Sequence, residues 1–382
     1  MKLLTPYLEE MIKREAADLF LTVGSPPSLR VEGKLVEFDM KPLNHDAIEA
    51  IINDVLSEEQ KHDFATNLEL NIALTGAAGE RFRANFFYQQ HHRGMVIRRI
   101  KAKIPTAEQL KLPPIYNKTV MEKRGLILMV GSVASGKSTS MAVMLEYRNM
   151  HGSGHIVTIE DPIEFVHEHH NCIFTQREVG IDTLSYSIAL KNALRQSPDM
   201  IVIGEIRDRE TMENALVFCE TGHLCMATLH ANNSNQAIER IVNLFPEEQQ
   251  KQIYITLSQN LKAIFSQRLV TNVRGGLTLA TEVLINQALA RQLIAEGKVK
   301  ELKDLMEKSR DQGMNTFDQC LLDFVKTGEI SIEVALREAD NPNNLKLRIN
   351  QEMLNRELID GTPSPQIDYG KGNAPAKNSE DF

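Results

Sequence analysis

The segment 131–138, GSVASGKS, constrains the fold of this chain more than any other. It fits G-x-x-x-x-G-K-[ST], follows the apolar run GLILMV (125–130) and opens a helical stretch. A chain with this sequence ends a buried strand in a turn and starts a helix directly on it. Gly131 and Gly136 let the backbone curl so that its N–H groups face an anion, and the helix N-terminus adds positive potential. Such a loop is built for phosphates. Lys137 reaches the outer phosphates, and the Ser138 hydroxyl can ligate Mg²⁺. Ser132, Val133, Ser135 and Thr139 complete the loop and its exit. Ala134 stands where many such loops carry a further glycine, which predicts a stiffer turn.

The surrounding pattern predicts an α/β fold. HIVTIE (155–160), DMIVIGE (199–205) and HLCMATLH (223–230) are short apolar runs like GLILMV, the signature of strands buried on both faces of a parallel sheet. Helical stretches over 137–149, 186–195 and 210–221 alternate with them. From Ile238 onward the pattern reads as mainly helical. Residues 1–100 predict a separate small α/β domain. It comprises a helix over 5–17, strands at 18–24, 68–74, 81–89 and 94–100, a hairpin in LRVEGKLVEF (29–38) and helices at 46–55 and 58–67. Residues 101–115, with three prolines, read as a linker and 116–350 as the second domain. The tail 351–382 is expected to be disordered from about 361, where Gly and Pro replace large aliphatics.

Two further segments offer carboxylates at strand ends. DMIVIGEIRD (199–208) ends in Glu205, placed to orient Mg²⁺ beside the loop. VTIEDPIEF (157–165) carries Glu160, Asp161 and Glu164 at the sheet edge where open α/β folds locate ligand chemistry. One of them can polarise an attacking water. A solvated turn is the alternative reading. His223 and His230, seven apart, face opposite sides of an extended strand, which argues against a shared metal and leaves nucleotide sensing or packing open. HEHHNC (167–172) has zinc-ligand residue types, but its crowded spacing reads better as a polar surface loop.

Composition excludes several classes. A net charge of −8 lacks the basic surplus of a non-specific nucleic-acid binder. No apolar run approaches the ~20 residues of a membrane span, and the charged N-terminus does not suit a signal peptide. Four cysteines without a CxxC pair suit a reduced, cytoplasmic protein.

Taken in order, GKST, IEDPIEF (159–165), TQREVG (175–180), DMIVIGEIRD, ETGHLCMATLH (220–230) and GMNTFDQCL (313–321) resemble the secretion ATPase superfamily. The likeness covers about residues 1–345 and is strongest to the type IV pilus retraction ATPases, in their PilU branch. It implies a PAS-like N-terminal domain, a RecA-like ATPase domain with C-terminal helices and a hexameric ring that hydrolyses ATP with Mg²⁺. It implies Glu164 as general base, Glu205 as the second acid and Mg²⁺ support, and His230 at the end of the His box among the nucleotide-binding positions. It also implies Arg83 and Arg98 as arginines that reach the phosphates from the N-terminal domain, with Arg81 and Arg99 as alternatives one residue out of register. The implied partners are identical subunits, a primary retraction ATPase and the inner-membrane platform protein. The implied location is the inner face of the inner membrane, with neither nucleic acid nor direct membrane insertion. The segment LARQLIAE (289–296) departs from the retraction motif AIRNLIRE, which implies assistance to retraction and twitching rather than retraction unaided. A regulatory ring without turnover and a DNA-translocating motor are the competing readings.

Overall fold

The computed structural model describes residues 1–360 apart from 32, 78 and 101–103. Helix α1 (Thr5–Lys13) leads into strands β1 (Asp18–Thr22), β2 (Ser28–Val31) and β3 (Lys34–Glu37). Helices α2 (His45–Val55) and α3 (Glu58–Asn67) follow. Asn44 caps α2, and a reciprocal Ser57–Gln60 capping box starts α3. Strands β4 (Glu69–Thr75), β5 (Arg81–Gln89) and β6 (His92–Arg99) complete an antiparallel six-stranded sheet in the order β3-β2-β1-β6-β5-β4. Its strands alternate. Phe82, Ala84 and Phe86 of β5 and Met95 and Ile97 of β6 pack under α1, α2 and α3, each large side chain contributing about 1.5–3 kcal/mol on burial. The residues between them, Arg83, Asn85 and Arg98, point to the other face.

The second sheet is different in kind. Helix α4 (Ile115–Val120) precedes β7 (Gly125–Val130), which runs through the phosphate loop into α5 (Lys137–His151). Then come β8 (Gly154–Glu160), β9 (Cys172–Glu178), α6 (Tyr186–Ala193), β10 (Met200–Ile203), α7 (Arg209–Glu220) and β11 (Leu224–Leu229). Helices α8 (Ser234–Asn243) and α9 (Glu247–Asn260) lead to β12 (Leu261–Thr271) and β13 (Leu277–Ile285). The seven strands are ordered β13-β12-β7-β11-β10-β8-β9, and the six from β12 to β9 run parallel. Both faces are covered. Leu126, Leu128 and Val130 of β7 pack with α7 to α10, whereas Ile127 and Met129 pack with α4 and α5. That double burial is why these strands read as unbroken apolar runs. Helices α10 (Ala288–Ala295), α11 (Leu302–Lys308), α12 (Phe317–Lys326), α13 (Ile332–Glu338) and α14 (Pro342–Asp360) close the chain.

The fold class is α/β, as the sequence predicts, with three departures. The region after Ile238 is mainly helical, as expected, but it also holds β12 and β13, two unexpected strands that extend the sheet. β9 falls within TQREVG and its flanks, where no strand is expected. α14 runs to Asp360, so residues 351–360, expected as the first part of the tail, are helical; the expected disorder at 361–382 lies outside the described residues. Of the expected linker, 101–103 is likewise outside them, and 104–114 carries a turn but neither helix nor strand. The described residues divide into two compact units, Met1–Leu269 with Leu279–Thr316, and Val270–Thr278 with those from Phe317 to Asp360.

Candidate active site

The loop between β7 and α5 takes the shape its glycines allow. Gly131 has φ 155° and Gly136 φ 90°. A Cβ at Gly131 would stand 2.6 Å from the Gln267 carbonyl oxygen and closer still to the Ser135 hydroxyl, so only glycine fits there. Ala134 is left-handed at φ 60°, the conformation in which a glycine costs less. Lys137 is buried at the start of α5 and donates from Nζ to the carbonyls of Gly131 (2.8 Å) and Ser132 (2.7 Å). Burial pulls its ammonium below the ordinary lysine value, while the Glu205 and Glu164 carboxylates pull it back up. The loop's one cation thus lies within electrostatic reach of both acids proposed from the sequence. A cavity of about 460 Å³ opens beside the loop between Ser132, His230 and the Gln236–Arg240 face of α8. Ser138 and Thr139 sit half-buried in the first turn of α5.

The acids come from the carboxyl ends of two neighbouring strands. Gly204 makes this possible: a Cβ there would meet the Tyr186 hydroxyl at 2.8 Å and Glu160 Cα at 3.1 Å. Just beyond it, Glu205 accepts from Arg207 Nε (2.6 Å) and lies 2.9 Å from His230 Nε2. Arg207 also reaches Asp161 (3.5 Å), and Asp161 lies 3.8 Å from Arg83, which projects from β5. The result is a charge chain Arg83–Asp161–Arg207–Glu205–His230. Glu160, behind it, accepts from the Thr158 hydroxyl (2.6 Å) and from Gln176 Nε2 (3.4 Å). Burial is the main cause that pushes its carboxyl up to about 7, with the nearby Glu164 charge adding to it. Glu164 itself is exposed on the turn after Asp161–Pro162, a cis peptide.

The structure separates residues that the sequence grouped. Arg98 lies opposite Arg83 across β5 and β6, but its Nε donates to Asp18 (2.8 Å), and Arg30 approaches the other Asp18 oxygen at 3.3 Å. Arg99 donates to the Ile12 carbonyl (3.4 Å). His230 joins the acids, whereas His223 lies 3.0 Å from the Thr221 hydroxyl at the other end of β11. HEHHNC is a polar surface loop, with Glu168, His169, His170 and Asn171 exposed, but its two ends are buried. His167 is buried, stacked on Phe174 (ring centroids 4.5 Å) and 3.2 Å from Glu146, and Cys172 is buried on β9. Arg207 and Gln267 were not singled out from the sequence. The R in GEIRD sits two residues after Glu205 and was the available signal for Arg207.

The model of the family described as "Type II/IV secretion system protein" matches residues 1–276. The chain belongs to this family. It is 51% identical over 343 residues to the type IV pilus ATPase PilU of Pseudomonas aeruginosa (strain PAO1), covering 90% of each protein. It is 40% identical over 341 residues to the type IV pilus retraction ATPase PilT of the same organism, covering 89% of this chain and 99% of that protein. The crystal structure of the pilus retraction motor PilT with bound ADP superposes with a TM-score of 0.84 at 40% identity, over 90% of this chain and 98% of that one. These likenesses place this secretion-family chain in its PilT/PilU branch. No helix among the described residues is long and apolar enough to cross a membrane.

Proposed function

We propose that this chain hydrolyses ATP to drive type IV pilus retraction and twitching, as a homo-hexameric ring working with a primary retraction ATPase. The observation that carries the reading is the convergence of Lys137 with Glu205 and Glu164 at the carboxyl edge of a parallel sheet. The N–H groups of 131–139 cradle the phosphates. Lys137 leaves the carbonyls of Gly131 and Ser132 for the β- and γ-phosphates.

The Ser138 hydroxyl and the Glu205 carboxylate are the sparse oxygen set that Mg²⁺ takes when phosphates supply its other ligands, so these residues fit the ion. Bound there, Mg²⁺ neutralises charge on the phosphate oxygens. Glu164, exposed and unburdened by an ion pair with Arg207, takes the proton of the attacking water, which displaces ADP in line. His230 reads the occupancy of the site through its contact with Glu205.

In the ring, residues 1–100 pack on the ATPase portion (116–350) of the neighbouring subunit, and Arg83 and Arg98 are delivered to that neighbour's phosphates. Such an interface is heterologous and closes by rotation. The turn-rich stretch within 101–115 is the hinge through which domain rotation becomes mechanical output. The inner-membrane platform protein receives it, which locates the ring at the cytoplasmic face of that membrane. The departure from AIRNLIRE falls on α10, where the changed positions Leu289 and Gln292 are exposed and Ala295 is half-buried, while Ala290 is buried with Leu293 and Ile294, so the changes alter a surface and one core position beneath it. An intact engine with an altered coupling surface assists a partner.

The test is imaging of pilus shortening in cells with the primary ATPase present. Replacing this chain with Lys137→Ala should remove its contribution. Undiminished shortening would contradict a need for turnover and favour a scaffold ring.

A further inference from the structure

Beneath the phosphate loop lies a buried amide that touches neither the acids nor the charge chain of the site. Gln267, in β12, is completely buried. Its backbone oxygen sits against Gly131, 2.6 Å from where a Cβ would stand, and its side-chain Oε1 lies 3.9 Å from the corresponding position at Gly136. One residue therefore underlies both glycines of the loop. Its amide nitrogen is already committed, donating to the Ser140 hydroxyl on α5 at 2.8 Å and to the Tyr116 hydroxyl on α4 at 3.4 Å. Those bonds fix the amide plane and aim Oε1 at the loop.

That oxygen has no partner, and neither has the buried hydroxyl of Ser135 in the loop itself. Each orphan costs about 1–3 kcal/mol, and one hydrogen bond closed between the loop hydroxyl and the floor amide would relieve both. Tyr116, stacked on Phe265 of the same strand (ring centroids 3.9 Å), keeps this floor rigid.

We propose that Gln267 is a positioning residue for the phosphate loop: nucleotide draws the loop inward, and the Ser135 hydroxyl then donates to Gln267 Oε1, so that binding energy is partly the making of that bond. The inference rests on nucleotide binding at the loop. It implies that Gln267 and Ser135 act as one unit on affinity and leave the chemical step alone.

The test is fluorescent ADP binding and steady-state hydrolysis by purified full-length Gln267→Leu, Ser135→Ala and the double variant. Each single change should weaken ADP binding about five-fold, the worth of one hydrogen bond, and raise KM with kcat within about two-fold. The double variant should bind no worse than the weaker single. Losses that add, or unchanged ADP affinity in either single, would overturn the proposal. If Gln267→Leu does not fold, Ser135→Ala, which only removes a hydroxyl, still decides it by its own affinity. Wild-type protein that fails to bind ADP would instead defeat the functional reading on which the proposal stands.

Discussion

The two sheets use arginine and carboxylate in opposite ways. In the seven-stranded sheet the central strands are buried on both faces, so the carboxylates of the site stand at strand ends, and there Glu205 and Glu164 act on Lys137 while Asp161 joins Glu205 through Arg207. In the six-stranded sheet one face is open, and a cross-strand row of Arg83, Arg98, Asp18 and Arg30 lies along it. The first arrangement places chemistry at an edge that topology dictates. The second places charge wherever strand register happens to align it, so its members part company: Arg83 reaches Asp161, while Arg98 is held by Asp18. A residue's role is therefore more fully specified by the parallel sheet than by the antiparallel one.

The largest effect that sharpens the contrast is at the loop. Lys137→Ala should reduce phosphate release to background while far-ultraviolet circular dichroism and melting show an intact fold. Wild-type turnover in folded Lys137→Ala would break the account of the edge site.

The open face should behave as a donor to a neighbour. Arg83→Ala should lower kcat by about 10²–10³-fold, as expected for losing one charged donor at the phosphates. Mixing it with Lys137→Ala chains should then restore part of the activity, because some interfaces pair an intact loop with an intact arginine. No recovery in demonstrably mixed rings would place Arg83 in service of its own chain, through Asp161.

A smaller effect concerns pH. The Glu160 carboxyl is pushed up to about 7 from an ordinary 4.5, chiefly by burial, so the folded state holds that proton more tightly than the unfolded chain does. Its stabilising contribution is present below the unfolded value and lost as pH rises from about 4.5 through about 7. Glu160→Gln, neutral throughout, should flatten that part of the curve of melting temperature against pH. Equal slopes in the two proteins would contradict the assignment. The smallest effect is at Ala134, where glycine relieves the left-handed φ; Ala134→Gly should stabilise by about 1 kcal/mol or less in thermal unfolding, offset by the freedom glycine adds to the unfolded chain.

What could be read from the sequence follows the same division. The runs at 125–130, 155–160, 199–205 and 223–230 announce strands because both of their faces are apolar. β12 and β13 do not, since they bury Ser266, Gln267, Thr281 and Glu282 among their apolar residues. Those polar groups are held by partners distant in sequence, as when the Ser234 N–H donates to Glu282 (2.7 Å), and no local pattern reveals such partners. The acids of the site were legible as strand-end residues. The link from Asp161 through Arg207 to Glu205 was not, because it depends on two strand ends meeting across the close contact at Gly204. Arg83 and Arg98 look alike in sequence and pair across adjacent strands, and only the side-chain partners tell them apart.

The central claim is that Glu164 is the base in a site otherwise complete for binding. The most direct measurement is of Glu164→Gln beside Asp161→Asn, each assayed for ATP binding and for phosphate release. Glu164→Gln should bind ATP as the wild type does and release phosphate about 10²–10⁴-fold more slowly. Normal turnover in Glu164→Gln, with loss of turnover in Asp161→Asn, would contradict the account and move the base to Asp161.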